Sequence, residues 1–512
     1  VGEVTTTHQP EVPQRAGRRE WGALASLVLV VLLLAIDGTV LYLAVPALTH
    51  HLDPSAAELL WIGDIYGFVL AGLLITMGNL ADRIGRKKLL LIGAGAFGCA
   101  SALAAIAPNP ELLIAARAVL GLAAATLMPS SLSIVRAMFS DRAQRTRAIA
   151  IWSAGATAGA ALGPVVGGAL LEKFWWGSVF LINVPIMALV LVLGSILLPE
   201  SRGNAEHPVD VVSSALSILA IVPLVYALKH WVGTGFDVAV PVSGAIGLLA
   251  GWLFIRRQKR LPYPLLDVTL FRSPAFTGAV ASNGVALFAF MGVLFFFSQY
   301  LQLVRGFGPL TAGLAELPAT FASIVVISIV GVLVAKLGTG RAIGAGLFFA
   351  ALGLVGIALS AALPAYWGLA IALAVLGLGV GVAATLSVDA VVTVVPKERA
   401  GAASSISETA YELGGALGIA ALGSIHLATY RSHLDPPPGT DPADIAHAQR
   451  SLTSALAEVH QPELIAHAQQ AFTTAMQTTA YLAAASMAAA AVVAWTVIPS
   501  RRAAKMSSHE AR

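Results

Sequence analysis

Four acids and one arginine stand inside stretches that are otherwise apolar: Asp37, Asp64, Glu408, Glu412 and Arg117. An ionised side chain is costly in hydrocarbon, so each of these residues calls for a function or a partner. Asp37 lies about ten residues from one end of its apolar run, roughly 15 Å deep by helical rise. Asp64 and Arg117 lie some six or seven residues from the corresponding ends of theirs, so all three could share one half of a single cavity. Glu408 and Glu412 are four apart, which puts them on one face of a helix. A carboxyl group in a low-dielectric cavity can exchange protons with water, and a neighbouring arginine sets how readily it does so. Asp37 tuned by Arg117 is therefore the candidate for proton exchange, the alternative being a structural hydrogen bond at a helix contact. Asp64, Glu408 and Glu412 are candidates for attracting a cation, with the aromatic faces of Trp61, Tyr66 and Tyr411 beside them. A proton and a cation would then exclude one another from the same cavity. Glu316 and Asp389 sit nearer the ends of their runs, where a solvated or capping role is as open as chemistry.

Other chemistries find no support. No GxxxxGK[ST] phosphate loop occurs, and no Cys/His metal cluster or nucleophile constellation is present, so neither a cofactor nor an enzyme is expected. The single cysteine, Cys99, excludes an internal disulfide framework and reads as a buried helix thiol. A net charge of +4 is too weak for a nucleic-acid partner.

The elements that position these residues follow from composition. Of 512 residues, 57% are hydrophobic and 11% charged, and mean hydropathy is +0.81. No soluble core could absorb so many apolar residues while leaving so few charges for a surface. The apolar runs reach twenty residues and more, the length of spanning helices rather than barrel strands. Fourteen such runs emerge, giving an all-α polytopic membrane protein. The first run is too long for a signal peptide and contains Asp37, so it is expected to stay as a helix.

An even helix number places both ends of the chain on one side. Of the 31 Lys and Arg, 25 fall on that side and 5 on the other, where Lys229 is assigned to a helix end, with Arg117 inside a helix. The positive-inside rule makes both termini cytoplasmic. The basic stretch 256–274 reads as a cytoplasmic connector near anionic lipid head groups. Residues 429–473 form an external loop able to hold short helices, expected as a structural cap.

The chain repeats itself. Gly78–Gly85 has an echo in Gly331–Gly338, Ala118–Leu122 recurs as Ala374–Leu378, and Ala160–Gly163 matches Gly415–Gly418, all at offsets of 253 to 256. Three matches in order divide the chain into a cytoplasmic segment 1–21, a six-helix bundle 22–198, two inserted helices with linker in 199–274, a second six-helix bundle 275–498, and a tail 499–512. The inserted spans, 209–229 and 240–255, have no counterpart in the repeat and are expected at the periphery, in lipid. A parallel repeat of this kind houses its substrate between the halves and rocks around it.

The segment Gly78-Asn79-Leu80-Ala81-Asp82-Arg83-Ile84-Gly85-Arg86-Lys87-Lys88 resembles the loop motif GxLaDrxGrkxxl of the major facilitator superfamily. Arg117 with Gly121 resembles that family's RxxxG motif, and Gly159 to Gly168, with Gly163, Pro164 and Gly167 between, resembles its antiporter motif gxxxGPxxGG. Asp37 to Pro46 is similar to the first-helix motif of the fourteen-helix drug:proton antiporters, except that Tyr42 stands where Asn is usual. The resemblance implies a 6 + 2 + 6 major facilitator fold, and the Ala/Gly richness with one Cys suits a bacterial inner membrane. The resemblance also implies a conformational latch at Gly78, Asp82, Arg83, Gly85 and Arg86, and drug:proton antiport; with the acids and aromatics above, the expected function is proton-driven efflux of lipophilic, mainly cationic drugs and dyes. Protons, such cations and membrane lipid would be its partners, and the protein would act as a monomer. Export of an endogenous metabolite, or a sensor or scaffold without transport, are the alternatives. On physical grounds the glycine stripe offers close helix packing, with Pro164 adding a bend.

Overall fold

In a computed structural model of the chain, the described residues are 16–139, 141–201, 210–262, 264–393, 395 and 400–499. Most of the basic N-terminal segment, the C-terminal tail and the charges at 202–209 and 396–399 lie outside the described residues. Among the described residues, fourteen helices are long and apolar enough to cross a membrane. The first half comprises α1 (Arg18–Leu52), α2 (Ala56–Ile84), α3 (Arg86–Ala105), α4 (Pro110–Met138), α5 (Arg142–Lys173), and a sixth span made of α6 (Ser178–Leu181) and α7 (Asn183–Leu197). The insert is α8 (Val211–Thr234) and α9 (Ala239–Gln258). The second half comprises α10 (Pro274–Leu303), α11 (Pro309–Leu337), α12 (Thr339–Ala361), α13 (Tyr366–Thr393), α14 (Ala400–His433) and α17 (Pro462–Val497), with short α15 (Pro442–Arg450) and α16 (Leu452–Glu458) between the last two.

Local signals set the ends. Ser55 and Glu58 form a reciprocal cap at the start of α2, Asn109 caps α4 ahead of Pro110, and Asp141 caps α5. Fourteen alternating spans leave residues 16 and 499 on one face, called here the terminal face; the opposite one is the distal face.

Packing follows the repeat. α1 pairs with α5 as α10 pairs with α14, α2 with α4 as α11 with α13, and α3 with α7 as α12 with α17. The halves meet through α2 against α14 and α5 against α11, contacts that exchange under a two-fold rotation. One apolar core runs through the first half and continues into the distal part of the second, through Phe295, Tyr300, Leu354, Leu373 and Phe472. The terminal-face part of the second half has a core of its own, including Phe276, Leu347, Leu386 and Ile498. The halves are thus joined towards the distal face and parted towards the terminal face. On the distal side α16 packs against α1, α10 and α17, and Arg450 Nη1 lies 2.6 Å from Asp53 Oδ2, so the loop after α14 spans both halves.

Several expectations need correction. α8 does not stop at residue 229: it runs on to Thr234 and ends at Gly235, whose φ of +98° closes it, so Lys229 lies inside the helix and is only 3% exposed. α8 packs against α2 and α14 as well as α9, which itself packs mainly on α8. The peripheral position expected of the insert therefore describes α9 better than α8. Glu316 is not solvated; it lies two turns into α11 and is buried. Asp389 is exposed near the end of α13. Cys99 is exposed on the outer face of α3, not buried.

Candidate functional site

Asp37 has both carboxylate oxygens occupied. Arg117 Nη1 of α4 donates to Oδ2 at 3.0 Å, and Asn183 Nδ2 of α7 donates to Oδ1 at 2.8 Å. Asn183 Nδ2 also reaches Ser101 Oγ of α3 at 3.1 Å, so one network ties four helices. Arg117 in turn donates through Nε to the Ile62 carbonyl at 3.2 Å and stacks 4.7 Å above the Tyr66 ring, both on α2. Asp37, Arg117 and Asn183 are all buried. In a buried pair of this kind each group offsets the other's desolvation, and the remaining polar atoms take hydrogen bonds. A β-carbon on the next residue, Gly38, would meet no atom within 4 Å, whereas the Asp37 side chain itself is fully covered. Asn183 is not among the residues expected from sequence, since it does not ionise; a lone amide within an apolar run is nonetheless a signal of the same kind.

The network faces the second half. Tyr66 lies within electrostatic reach of Asp37, Arg117 and Glu412, and Tyr42 within reach of Arg117, Glu412, Glu316 and Asp64. The Tyr42 hydroxyl donates to Met291 Sδ of α10 at 3.6 Å, and its ring meets Phe295 edge-on at 5.6 Å. A β-carbon on Gly67 would lie 3.7 Å from the Glu412 carbonyl, which sets α14 directly against α2. Glu408 and Glu412 lie in α14, with Tyr411 between them and close to both acids. Asp37, Arg117, Tyr66 and Glu412 are therefore brought together near the middle of the bundle.

Asp64 and Trp61 form a separate group. Lys229 Nζ lies 2.7 Å from Asp64 Oδ2 and 4.0 Å above the Trp61 ring. The expected cation-attracting acid thus already faces a cation, supplied by the insert.

A family model described as Major Facilitator Superfamily matches residues 27–419. The chain belongs to the major facilitator superfamily. It is 45% identical over 498 residues to the protein named "Multidrug efflux pump LfrA" of Mycolicibacterium smegmatis, covering 96% of this chain and 97% of that one. It is 37% identical over 439 residues to "Methyl viologen resistance protein SmvA" of Salmonella typhimurium, covering 86% and 89%. The crystal structure of an inward-facing bacterial homolog of the human lysosomal transporter Spinster superposes with a TM-score of 0.65 at 16% identity, covering 93% of this chain and 98% of that one. That last likeness concerns the fold alone.

In this major facilitator chain the loop motif engages its own half. Arg86 pairs with Asp82 at 2.8 Å, and Lys87 Nζ donates to the Ser195 and Leu198 carbonyls at 2.7 and 2.9 Å. Gly85 has φ +111°, and a β-carbon there would strike the Glu200 carboxylate. Gly78 faces Pro129 of α4, and Arg83 is exposed. The antiporter motif is a packing surface. Gly159 and Gly163 lie against the α1 backbone and Thr39, Gly167 against Val40, and Gly168 against Leu310 of α11, while the Pro164 carbonyl faces Gly313. Any β-carbon on these glycines would collide, so the stripe sets the approach of α5 to α1 and across the seam to α11.

Proposed function

We propose that this protein exports lipophilic, mainly cationic drugs and dyes across a bacterial inner membrane in exchange for protons, by alternating access. The terminal face is the cytoplasmic one in this reading, as the Lys and Arg distribution favours, so the halves parted there correspond to an inward-facing state. The observation that carries the reading is Asp37, buried mid-bundle between Arg117 and Asn183 and beside Tyr66, which couples a carboxylate to the seam between the halves. Protonation of Asp37 releases Arg117 from its partner, and Arg117 also holds the α2 carbonyl of Ile62, so a proton gained or lost is felt by the helix that meets α14. Glu412 on α14, when ionised, attracts the cation in this reading. A cation and a proton then compete for the negative charge of one cavity, which is exchange stated as electrostatics. The names of the relatives, multidrug efflux and resistance to the dication methyl viologen, support the substrate class. A monomer supplies every residue invoked.

The test is purified protein in liposomes with an imposed pH gradient, scoring movement of methyl viologen or a cationic dye. Wild type should concentrate the cation against its gradient, and Asp37→Asn should abolish that while leaving exchange down a gradient measurable. Gradient-driven accumulation at the wild-type rate by the Asp37 variant would refute the assignment.

A further inference from the structure

The insert contributes a charge to the interior that the repeat does not explain. Lys229 sits on α8, yet its side chain and that of Asp64 are 1% and 0% exposed. Its ammonium occupies a place bounded by a carboxylate at 2.7 Å and an indole face at 4.0 Å, the combination that recognises organic cations. The ion contact is close, and among the described residues no further side chain bonds to Asp64 or to the Lys229 ammonium. The pair is therefore held by charge and left short of partners, unlike Asp37, whose oxygens are both bonded.

Lys229 is not what fixes α8 in place. Thr76 and Ser214 share a hydrogen bond, Ser217 Oγ donates to the Gly72 carbonyl at 3.2 Å, and Phe68, Val225, Ala416 and Ala420 form an apolar contact between α2, α8 and α14. The lysine also has somewhere to go. It lies five residues before the end of α8 at Thr234, roughly 7.5 Å by helical rise, within reach of a side chain that can extend towards the distal interface. One face of α2 carries Trp61 and Asp64 towards α8, and another carries Ile62 and Tyr66 to Arg117, so this group and the Asp37 network share one helix.

We propose that Trp61 and Asp64 form a cation subsite of the transport path, and that Lys229 is its tethered occupant, an internal ammonium that a cationic cargo must displace. Lys229 thereby sets the threshold of affinity for cations and leaves neutral cargo unaffected, and it keeps Asp64 neutralised whenever no cargo is bound. This rests on the reading of the protein as a cation exporter.

Tetraphenylphosphonium binding to the purified full-length chain tests it. Lys229→Met should lower the Kd about fivefold or more, Lys229→Arg should keep the wild-type value, and adding Asp64→Asn to Lys229→Met should remove the gain. Unchanged or weaker binding by folded Lys229→Met, or a gain that survives Asp64→Asn, would overturn the proposal. A second measurement needs no variant: on wild type, tetraphenylphosphonium should increase acylation of Lys229 by an amine-reactive ester, read by mass spectrometry, as the ammonium moves to water. Unchanged or reduced labelling in the presence of bound cation counts against displacement. If wild type neither binds tetraphenylphosphonium nor moves a cationic dye, both this and the broader reading fall; if it does both and only the Lys229 measurements fail, the broader reading stands and this one is lost.

Discussion

Asp37 derives its position from an amide that no charge-based search would find. Asn183 supplies one of the two hydrogen bonds on its carboxylate and links it to Ser101, so removing the amide leaves a buried charge short of a donor. Asn183→Leu should lower uphill cation flux roughly tenfold, since a hydrogen bond to a charged group contributes about 1.5–3 kcal/mol. The same variant should move the pH at which flux is half-maximal, which a purely structural role would not do; an unchanged pH profile in the liposome assay would count against it. Legibility at this scale follows one rule and its blind spot. Asp37 and Arg117 are legible because ionisable residues stand out against apolar runs. Lys229 is not, because a charge is itself the mark by which a run is ended, so the rule that locates helix ends hides a lysine that penetrates the bundle. The burial of Glu316 escapes for a related reason: distance from a helix end says nothing of what packs around that end.

At the scale of elements, the glycine stripe of α5 and the clip of the insert each make a prediction. Gly163 lies so close to Thr39 and the Ile36 carbonyl that a larger residue forces α1 and α5 apart. Gly163→Leu should destabilise by about 1–3 kcal/mol, as overpacking does. Because Gly167 and Gly168 continue the same surface to α11, transport should suffer beyond the loss of folded protein, measured as flux per folded molecule. The foot of α8 is held to α9 by Arg257, whose Nη2 and Nε reach the two Asp210 oxygens at 3.0 and 3.3 Å. Burial raises the Asp210 carboxyl, but hydrogen bonds from Arg257 and Ser213 outweigh it and hold the group below the usual carboxylate range. A carboxyl depressed in the folded state stabilises above its unfolded value, near pH ~4, and that contribution disappears as pH falls through the lower folded value. Hydrogen exchange of α9 should therefore be flat between about pH 5 and 8 once corrected for intrinsic rate, and rise below about pH 4. A rise centred near neutrality would assign the clip to another group. The number of spans and their order were legible from hydropathy. The extra turns of α8 and α17 were not, because neither a single lysine nor a polar stretch ends a helix whose backbone goes on bonding to itself.

For the whole molecule, the division of the apolar core fixes which way the halves lean. They share a core distally and have separate ones at the terminal face, and the Asp53–Arg450 pair bridges the distal closure. Both partners of that pair are about half exposed, so it contributes only about 0.2–1 kcal/mol. Asp53→Asn keeps a residue that tolerates the left-handed backbone at φ +45° and removes the charge. It should shift the balance towards distal opening by at most about fivefold, the factor that about 1 kcal/mol commands. Spin labels on the distal ends of α2 and α11, in a Cys99→Ala background, would measure this as a growing long-distance population; no change would mean that α16 seals the face without the ion pair. The repeat allowed the two-fold arrangement to be anticipated from sequence. The lean could not be, since both orientations use the same helices and differ only in which ends touch.

The union of Lys229 with Asp64 also bears on how such a chain could be shortened or lengthened. Two helices added or removed together leave the orientation of every later span unchanged, and α9 packs mainly on α8, so topology alone makes the hairpin dispensable. Electrostatics couples it to a residue far back in the chain: without α8, Asp64 loses the helix that covers it as well as its ion-pair partner, and faces lipid. A twelve-helix derivative lacking residues 211–258 should therefore fold poorly by itself and recover when it also carries Asp64→Asn. Fluorescence-detected size-exclusion of the two deletions would reveal this epistasis, in which the order of two genetic changes decides whether the intermediate survives.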